Sequence, residues 1–225
     1  MSERIHVIGS GRVGSALSAR LAQRGVLAPA DEAEVVVLCV PDRAISDVAS
    51  KVAPGPWVAH VSGATPLAAL APHTRRFGLH PLQTFTLERG AEQLDGAWAA
   101  ITAESASARA VATALAALLG LRPFSLADAD RALYHAGAAI ASNYLVTLRR
   151  VAGELLASAN VPAEALEPLM RRVVDNGFQL TGPIERGDWT TVERHRQAIA
   201  REAPHLLEAY DVLARLTARP AGATA

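Results

Sequence analysis

Gly9, Gly11 and Gly14 stand in the order G-x-G-x-x-G inside "IHVIGSGRVGSAL". In such a turn the first glycine permits a tight bend, the second lets a ligand approach the backbone, and the third lets helix and strand pack closely. Phosphates then rest on the helix N-terminus, where free N–H groups and the dipole favour anions. Ser10, Arg12 and Val13 fill the spacer positions and belong to the same candidate cofactor-binding turn. The plain alternative is a turn kept only for packing. Two histidines could move protons, because an imidazole titrates near neutrality. His80 closes the apolar run in "GLHPLQTF", and His135 sits in "YHAGAAIASNYLVTL". A buried structural histidine is the competing reading for both. In "LTGPIERGD", Thr181 and Arg186 offer groups for a substrate, Arg186 as a fork for a carboxylate. Asp188 reads equally well as a helix N-cap.

These residues need elements to hold them. Ile5–Ile8 reads as a strand and Arg12–Arg24 as a helix, with Val13, Leu17 and Leu21 at helical spacing. "VVVLCV", residues 35–40, is apolar on every position, as in a strand covered on both faces. Val40 and Pro41 follow it, and Asp42 opens a helix. Trp57–Ser62 is a strand ending at Ser62 and Gly63, which would line the same cleft. "TPLAAL" reads as a helix capped by Thr65 with Pro66 at its first position. Phe77–His80 and Ala97–Thr102 complete the strands. Ser105–Leu119 is an Ala-rich helix stopped by Gly120.

From Asp128 onward no strand pattern remains. A long helix is expected over about 128–159, another from Pro162 to about Leu180, a third from about Asp188 and a fourth from about Pro204. The expected architecture is therefore α/β: a Rossmann-like, mostly parallel sheet domain over 1–124, then an all-helical domain over 125–225. The 132–148 stretch carries no charge. Leu133, Ile140, Tyr144, Leu148, Val151 and Leu155 form one stripe, and His135, Ala138, Ala139 and Ser142 the opposite one. Both faces are expected to be covered, by a helix, a second subunit or a ligand.

The formal net charge is zero and half of the 225 residues are hydrophobic. That balance argues against nucleic acid or an anionic membrane as partner. Cys39 is the single cysteine, which points to a buried hydrophobe and a reducing compartment. The start, "MSERIHVIG", shows no leader pattern, so a cytoplasmic protein is expected. Neither metal-ligand spacing, nor a serine nucleophile elbow, nor a lysine-containing phosphate loop is present.

One feature of the first half is unusual. Only "GVLAPADEAE" separates the first helix from "VVVLCV", whereas a dinucleotide site normally has a second strand ending in an acidic residue about 20 residues after the glycines. Either "VVVLCV" is that second strand and Asp42 meets the ribose, or two strands have been trimmed and "VVVLCV" is the fourth.

The stretches "IGSGRVGSAL", "VPDRAISDVA", "HVSGATPLAAL", "GLHPLQTF", "YHAGAAIASNYLVTL" and "LTGPIERGD" followed by His195 span nearly the whole chain. Together they resemble the Rossmann-like proteins whose helical C-terminal region is called domain of unknown function 2520. That family sits beside the 6-phosphogluconate dehydrogenase-like and ketopantoate reductase-like enzymes. The resemblance implies an oxidoreductase using NADP or NAD on a small carbonyl, imine or hydroxy-acid substrate in an interdomain cleft. It implies that "VVVLCV" is the fourth strand and that the ribose-binding region is shortened, with a remnant at Val26–Ala28 or a partner subunit covering the first strand. It makes Asn143 a counterpart of the Asn on the long helix of related dehydrogenases, and His80 a counterpart of the His-Pro turn of prephenate dehydrogenases. His80, His135 and Asn143 are thus the catalytic candidates. Gly9, Ser10, Gly11, Arg12, Val13, Gly14, Val40, Pro41 and Ser62 are the cofactor-binding candidates. Gly63, Ser142, Thr181 and Arg186 are the substrate-binding candidates. A homodimer through the helical domain is the expected assembly. The opposing expectation is a non-catalytic ligand-binding or dimeric scaffold that has lost full dinucleotide binding.

Overall fold

The computed structural model describes residues 4–218. By packing, the chain divides into units of residues 1–142 and 143–225.

The first unit is built on a six-stranded sheet: β1 (Ile5–Ile8), β2 (Val35–Leu38), β3 (Trp57–His60), β4 (Arg76–Leu82), β5 (Trp98–Thr102) and β6 (Arg122–Ser125), in spatial order β1-β2-β3-β4-β5-β6. All neighbours are parallel except β4 and β5. All four residues of β2 are buried, as a valine-rich run without alternation requires. Helices α1 (Arg12–Gln23) and α3 (Ala106–Leu119) supply Leu17, Leu21, Leu115 and Leu119 to a core with Ile5, Val35, Val37 and Phe77. The opposite face carries Val36, Leu38 and Val58 against Ile45 and Ala49 of α2 (Ile45–Ala49). Ser105 caps α3 by accepting from the Ala108 amide, and Gly120 ends it at φ 80°, as its composition anticipates.

The question of the missing strand has a geometric answer. Leu27 makes a single parallel bridge to Ile5, held by Ile5 N–H to Val26 O and Ala28 N–H to Ile5 O. β2 pairs with the other side of β1. In a doubly wound sheet of order 3-2-1-4-5-6 the strand on that side is the fourth. The second strand survives as one bridge, and its Val26–Ala28 remnant covers the edge that β1 would otherwise expose.

Two expectations are corrected. Ala97–Thr102 is not the last strand, because "RPFS" forms β6 on the sheet edge, where Pro123 is tolerated. Thr65 does not cap a helix. The segment Leu67–Leu70 is 3₁₀, and since Pro66 has no N–H, the first free amide is Leu67, which donates to Asp128 Oδ1 at 3.0 Å. The long helix is largely uncovered by this chain, so of the covers expected for it a second subunit or a ligand is left. It runs as α4 (Arg131–Ala139), a π-helical turn over Ile140–Tyr144 and α5 (Leu145–Ser158). Within it only Arg131 and Gly153 are fully buried, while Leu133, Ile140 and Tyr144 are exposed.

The second unit contains α5, then α6 (Leu166–Asp175), α7 (Trp189–Glu202) and α8 (Leu207–Thr217). α6 stops five residues before Leu180, because Gly177 and Phe178 take positive φ values of 67° and 60°. Its small core is Ile199, Ala203 and Leu206, with Val151, Leu155, Leu207 and Tyr210 packed against it. Among the described residues no helix is long and apolar enough to cross a membrane.

Candidate active site

β1 to β4 run parallel, so their carboxyl ends share one edge of the sheet. Gly9–Gly11 follow β1, Val40 and Pro41 follow β2, Ser62 and Gly63 follow β3, and His80 lies near the end of β4. Ligands of open α/β sheets bind along this edge.

The three glycines of the turn do different things. A Cβ on Gly9, which sits at φ 117°, would collide with Cys39 O. One on Gly14 would collide with Gly9 O. Those two hold strand, helix and the β2 end together. At Gly11 a Cβ would meet nothing within 4 Å, and Gly11 heads the twelve-residue α1 with no side-chain cap. Gly11 and Arg12 are exposed, as is Ser10, whose carbonyl accepts from Ser15 Oγ at 3.0 Å. The first turn of α1 thus presents backbone donors to open space, the arrangement a pyrophosphate needs. Val13 is half-buried against the core. Burial pushes the Cys39 thiol up to about 12, so it is an inert packing group.

Gly63 is the centre of the second cluster. A Cβ there would lie 2.6 Å from His135 Cδ2 and 2.9 Å from His80 Nε2. The two imidazoles therefore converge on a backbone position that only glycine leaves open, with ring centroids 6.1 Å apart. Burial first, then the neighbouring His135 and Arg131, push His80 down to about 4. Tyr134 Oη sits 2.7 Å from His80 Nδ1. Burial pushes this hydroxyl up to about 12. His135 is on the same α4 turn and exposed.

A buried scaffold sets these groups. Arg131 is 1% exposed. Its guanidinium donates to Thr102 Oγ1 at 2.7 Å and to Ser62 O, and Asp128 lies 3.9 Å from its Nε. Arg131 thereby ties the start of α4 to β5 and to the Ser62–Gly63 turn. Desolvation lowers its pKa, opposed by Asp128. The Ser62 hydroxyl is committed to that turn: it lies 2.8 Å from Asp42 Oδ2 and 2.9 Å from Thr65 Oγ1, and accepts from the Thr65 amide at 3.0 Å. His60 is fully buried beneath Gly78, with neither ring nitrogen hydrogen-bonded among the described residues. Burial and Arg131 push it down to about 4.

The structure thus brings Gly63, His80 and His135 together, with the Gly-rich turn on the same sheet edge. Ser142 donates to Ala138 O at 2.7 Å. Asn143, Thr181 and Arg186 lie in the second unit, where Thr181 and Arg186 are exposed on the loop before α7. Asp188 caps α7, accepting from Thr191 N at 3.0 Å and Thr191 Oγ1 at 2.7 Å. Those bonds hold its carboxyl below the usual range. His195 Nδ1 lies 3.0 Å from Tyr210 Oη within the same unit. Reading the sequence singled out neither Tyr134 nor Arg131 nor His60. The one available signal was the pair of ionisable residues, Arg131 and Tyr134, on the turn that carries His135.

The family described as "Domain of unknown function (DUF2520)" matches residues 97–217, and a Rossmann-like domain matches residues 22–85. The chain belongs to the DUF2520 family. No curated protein matches the sequence. Among solved structures, a Bacteroides fragilis protein named provisionally as an NADP oxidoreductase is 20% identical, with TM-score 0.78 over 96% of this chain and 98% of that one. A Thermotoga maritima protein is 24% identical, also with TM-score 0.78, covering 95% and 98%. Plasmodium falciparum pyrroline carboxylate reductase, determined with NADP bound, is 10% identical with TM-score 0.60 over 96% and 98%. For this DUF2520 member these likenesses establish the fold, a Rossmann-like unit followed by helices.

Proposed function

We propose that this DUF2520 protein is a nicotinamide-dependent oxidoreductase acting on a small carbonyl, imine or hydroxy-acid substrate. The observation that carries the reading is the convergence of His80 Nε2 and His135 Cδ2 on Gly63, on the sheet edge that also bears the open Gly11 turn. The nicotinamide would supply the hydride; the chain supplies binding, orientation and protons. The α1 N-terminus and the Gly11 backbone would hold the pyrophosphate, beside Val40 and Pro41. Arg12, exposed next to Gly11, is the candidate for a 2′-phosphate and favours NADP over NAD. At the substrate end, Gly63 leaves room between the two imidazoles, His80 meets the reacting oxygen or nitrogen, and exposed His135 exchanges its proton with solvent. The reading rests on Gly11, Gly63, His80 and His135 of the first unit; Ser142, Thr181 and Arg186, with Arg186 as a fork for a carboxylate, are proposed as further substrate contacts, and Asn143 as the counterpart that the family resemblance implies.

The test is NADPH oxidation with a panel of 2-oxo acids and cyclic imines. Wild type should turn over at least one class, and His135→Ala should lose roughly 10²–10⁴-fold in kcat with cofactor affinity unchanged. Full turnover in His135→Ala contradicts its role. A second reading is favoured by the single Leu27 bridge: a ligand-binding scaffold without catalysis, for which no panel member would react. We further propose a homodimer through the helical unit, because α5 and α6 leave Leu145, Val146, Leu169, Val173 and Val174 exposed.

A further inference from the structure

We infer that Tyr134 is a positioning residue that holds His80 in a single tautomer, with the proton on Nε2, so that His80 acts on its substrate as a neutral hydrogen-bond donor. The inference rests on the oxidoreductase reading only for the identity of the substrate atom.

The geometry is as follows. Tyr134 Oη and His80 Nδ1 are 2.7 Å apart, a short bond for this pair. The rings meet edge-on, with centroids 5.5 Å apart and planes at 86°. On its other side Tyr134 packs edge-on against Phe124 of β6, at 5.9 Å, so the phenol is fixed by β4 and β6 together. A hydroxyl and a neutral imidazole can bond either way round, but the phenol is the acid and the imidazole the base. Among the described residues the Tyr134 hydroxyl has no other acceptor. It therefore donates, Nδ1 accepts, and the remaining ring proton must sit on Nε2. Nε2 is the atom that faces the Gly63 turn.

Most of the charged and titratable groups around His80 also favour a neutral ring. His135, with its ring centroid 6.1 Å away, and buried Arg131 both oppose a second positive charge, and only Asp42 favours one. Burial is the largest influence, and with these charges it keeps the ring neutral above about pH 4. A neutral Nε2–H can serve only an atom with a lone pair. A carbonyl oxygen or an unprotonated imine nitrogen qualifies; an iminium nitrogen, which carries its own proton, does not. Tyr134 thus selects the protonation state of the substrate as well as its orientation.

The measurement is ¹⁵N–¹H NMR of the imidazole nitrogens in the cofactor-free protein, with His80→Gln identifying the His80 signals. Wild type should show Nε2 protonated and Nδ1 as a bare acceptor, in one tautomer at neutral pH. Tyr134→Phe should lose that pattern, mixing the tautomers. A protonated Nδ1 in wild type overturns the inference, as does a Phe variant with an unchanged tautomer. If the Phe variant fails to fold, the wild-type spectrum still decides between the two tautomers. Since no cofactor is present, failure here leaves the proposed activity standing, and absence of NADPH binding leaves the tautomer result standing.

Discussion

The two units of the chain spend their apolar residues differently. In the first, the sheet and the helices packed on its two faces enclose a large core in which Leu17, Leu21, Phe77, Leu79 and Leu115 are all inaccessible, and exposed apolar residues such as Leu87 and Leu133 lie outside that sheet and its covering helices. In the second, the buried apolar side chains among the described residues are Leu166, Val192, Ile199, Ala203 and Leu206, while Val146 and Phe178 stay 70% and 73% exposed. A sheet covered on both faces closes its own core. Four helices with small contact faces do not, and the apolar surface left over is matter for a partner. The comparison separates a unit that encloses its own core from one that leaves apolar helix faces for the proposed dimer.

The sharpest break is expected in the first unit. Gly14→Val should cost more than about 3 kcal/mol and abolish folding at growth temperature, because the added carbons meet the Gly9 carbonyl and Cys39, which have no room to give. Urea denaturation of the purified variant, or its failure to accumulate, checks this. Gly11→Ala is the control, since nothing lies within 4 Å of its Cβ, and it should fold normally. Arg131→Met should cost about 3 kcal/mol by leaving Thr102 Oγ1 and Ser62 O without their donor in a buried site. The same variant should loosen the Gly63 turn, read as faster hydrogen exchange there.

The second unit should respond in the opposite manner. Val146→Glu with Leu169→Glu should leave the monomer's helicity unchanged and weaken self-association by about 100-fold or more in sedimentation, because charge is placed on the exposed apolar face proposed for the dimer. An unchanged monomeric wild type would remove the proposed dimer.

A smaller effect separates the units by pH. His60 and His80 are pushed down to about 4 in the folded chain, from an ordinary 6.5. Between those values the unfolded chain binds protons that the folded chain refuses. Stability should therefore be complete above about pH 6.5, fall as pH drops toward 4, and level off below. Buried His60 accounts for a few kcal/mol at most and part-exposed His80 for less. His60→Asn, or a neutral isostere at 80, should flatten that slope in thermal melts.

How much of this could be read in the sequence follows from the range of the interactions. The Gly-rich turn, the Ser105 and Asp188 caps and the all-buried β2 are local, and their residues signal them directly. The trimmed second strand could be stated from the residues only as two alternatives, since one bridge at Leu27 decides it and a bridge has no pattern. β6 escaped because an edge strand containing proline shows no alternation. Arg131, Tyr134 and His60 escaped because each acquires its role from a partner 29 to 69 positions away, or from burial under Gly78. For the long helix the residues give only that it is covered, not by what, because uncharged positions look the same whether the chain, a second copy or a ligand covers them.

The central claim is that the shortened first unit still holds a nicotinamide dinucleotide on the Gly11 turn. Titration of the purified protein with NADPH and with NADH, following cofactor fluorescence, tests it most directly. Micromolar binding is predicted, tighter for NADPH and lost in Gly11→Asp, which sets a carboxylate where the pyrophosphate would rest. No binding of either up to millimolar concentration, by a folded protein, would contradict the claim and leave the Rossmann-like sheet as a scaffold for another ligand.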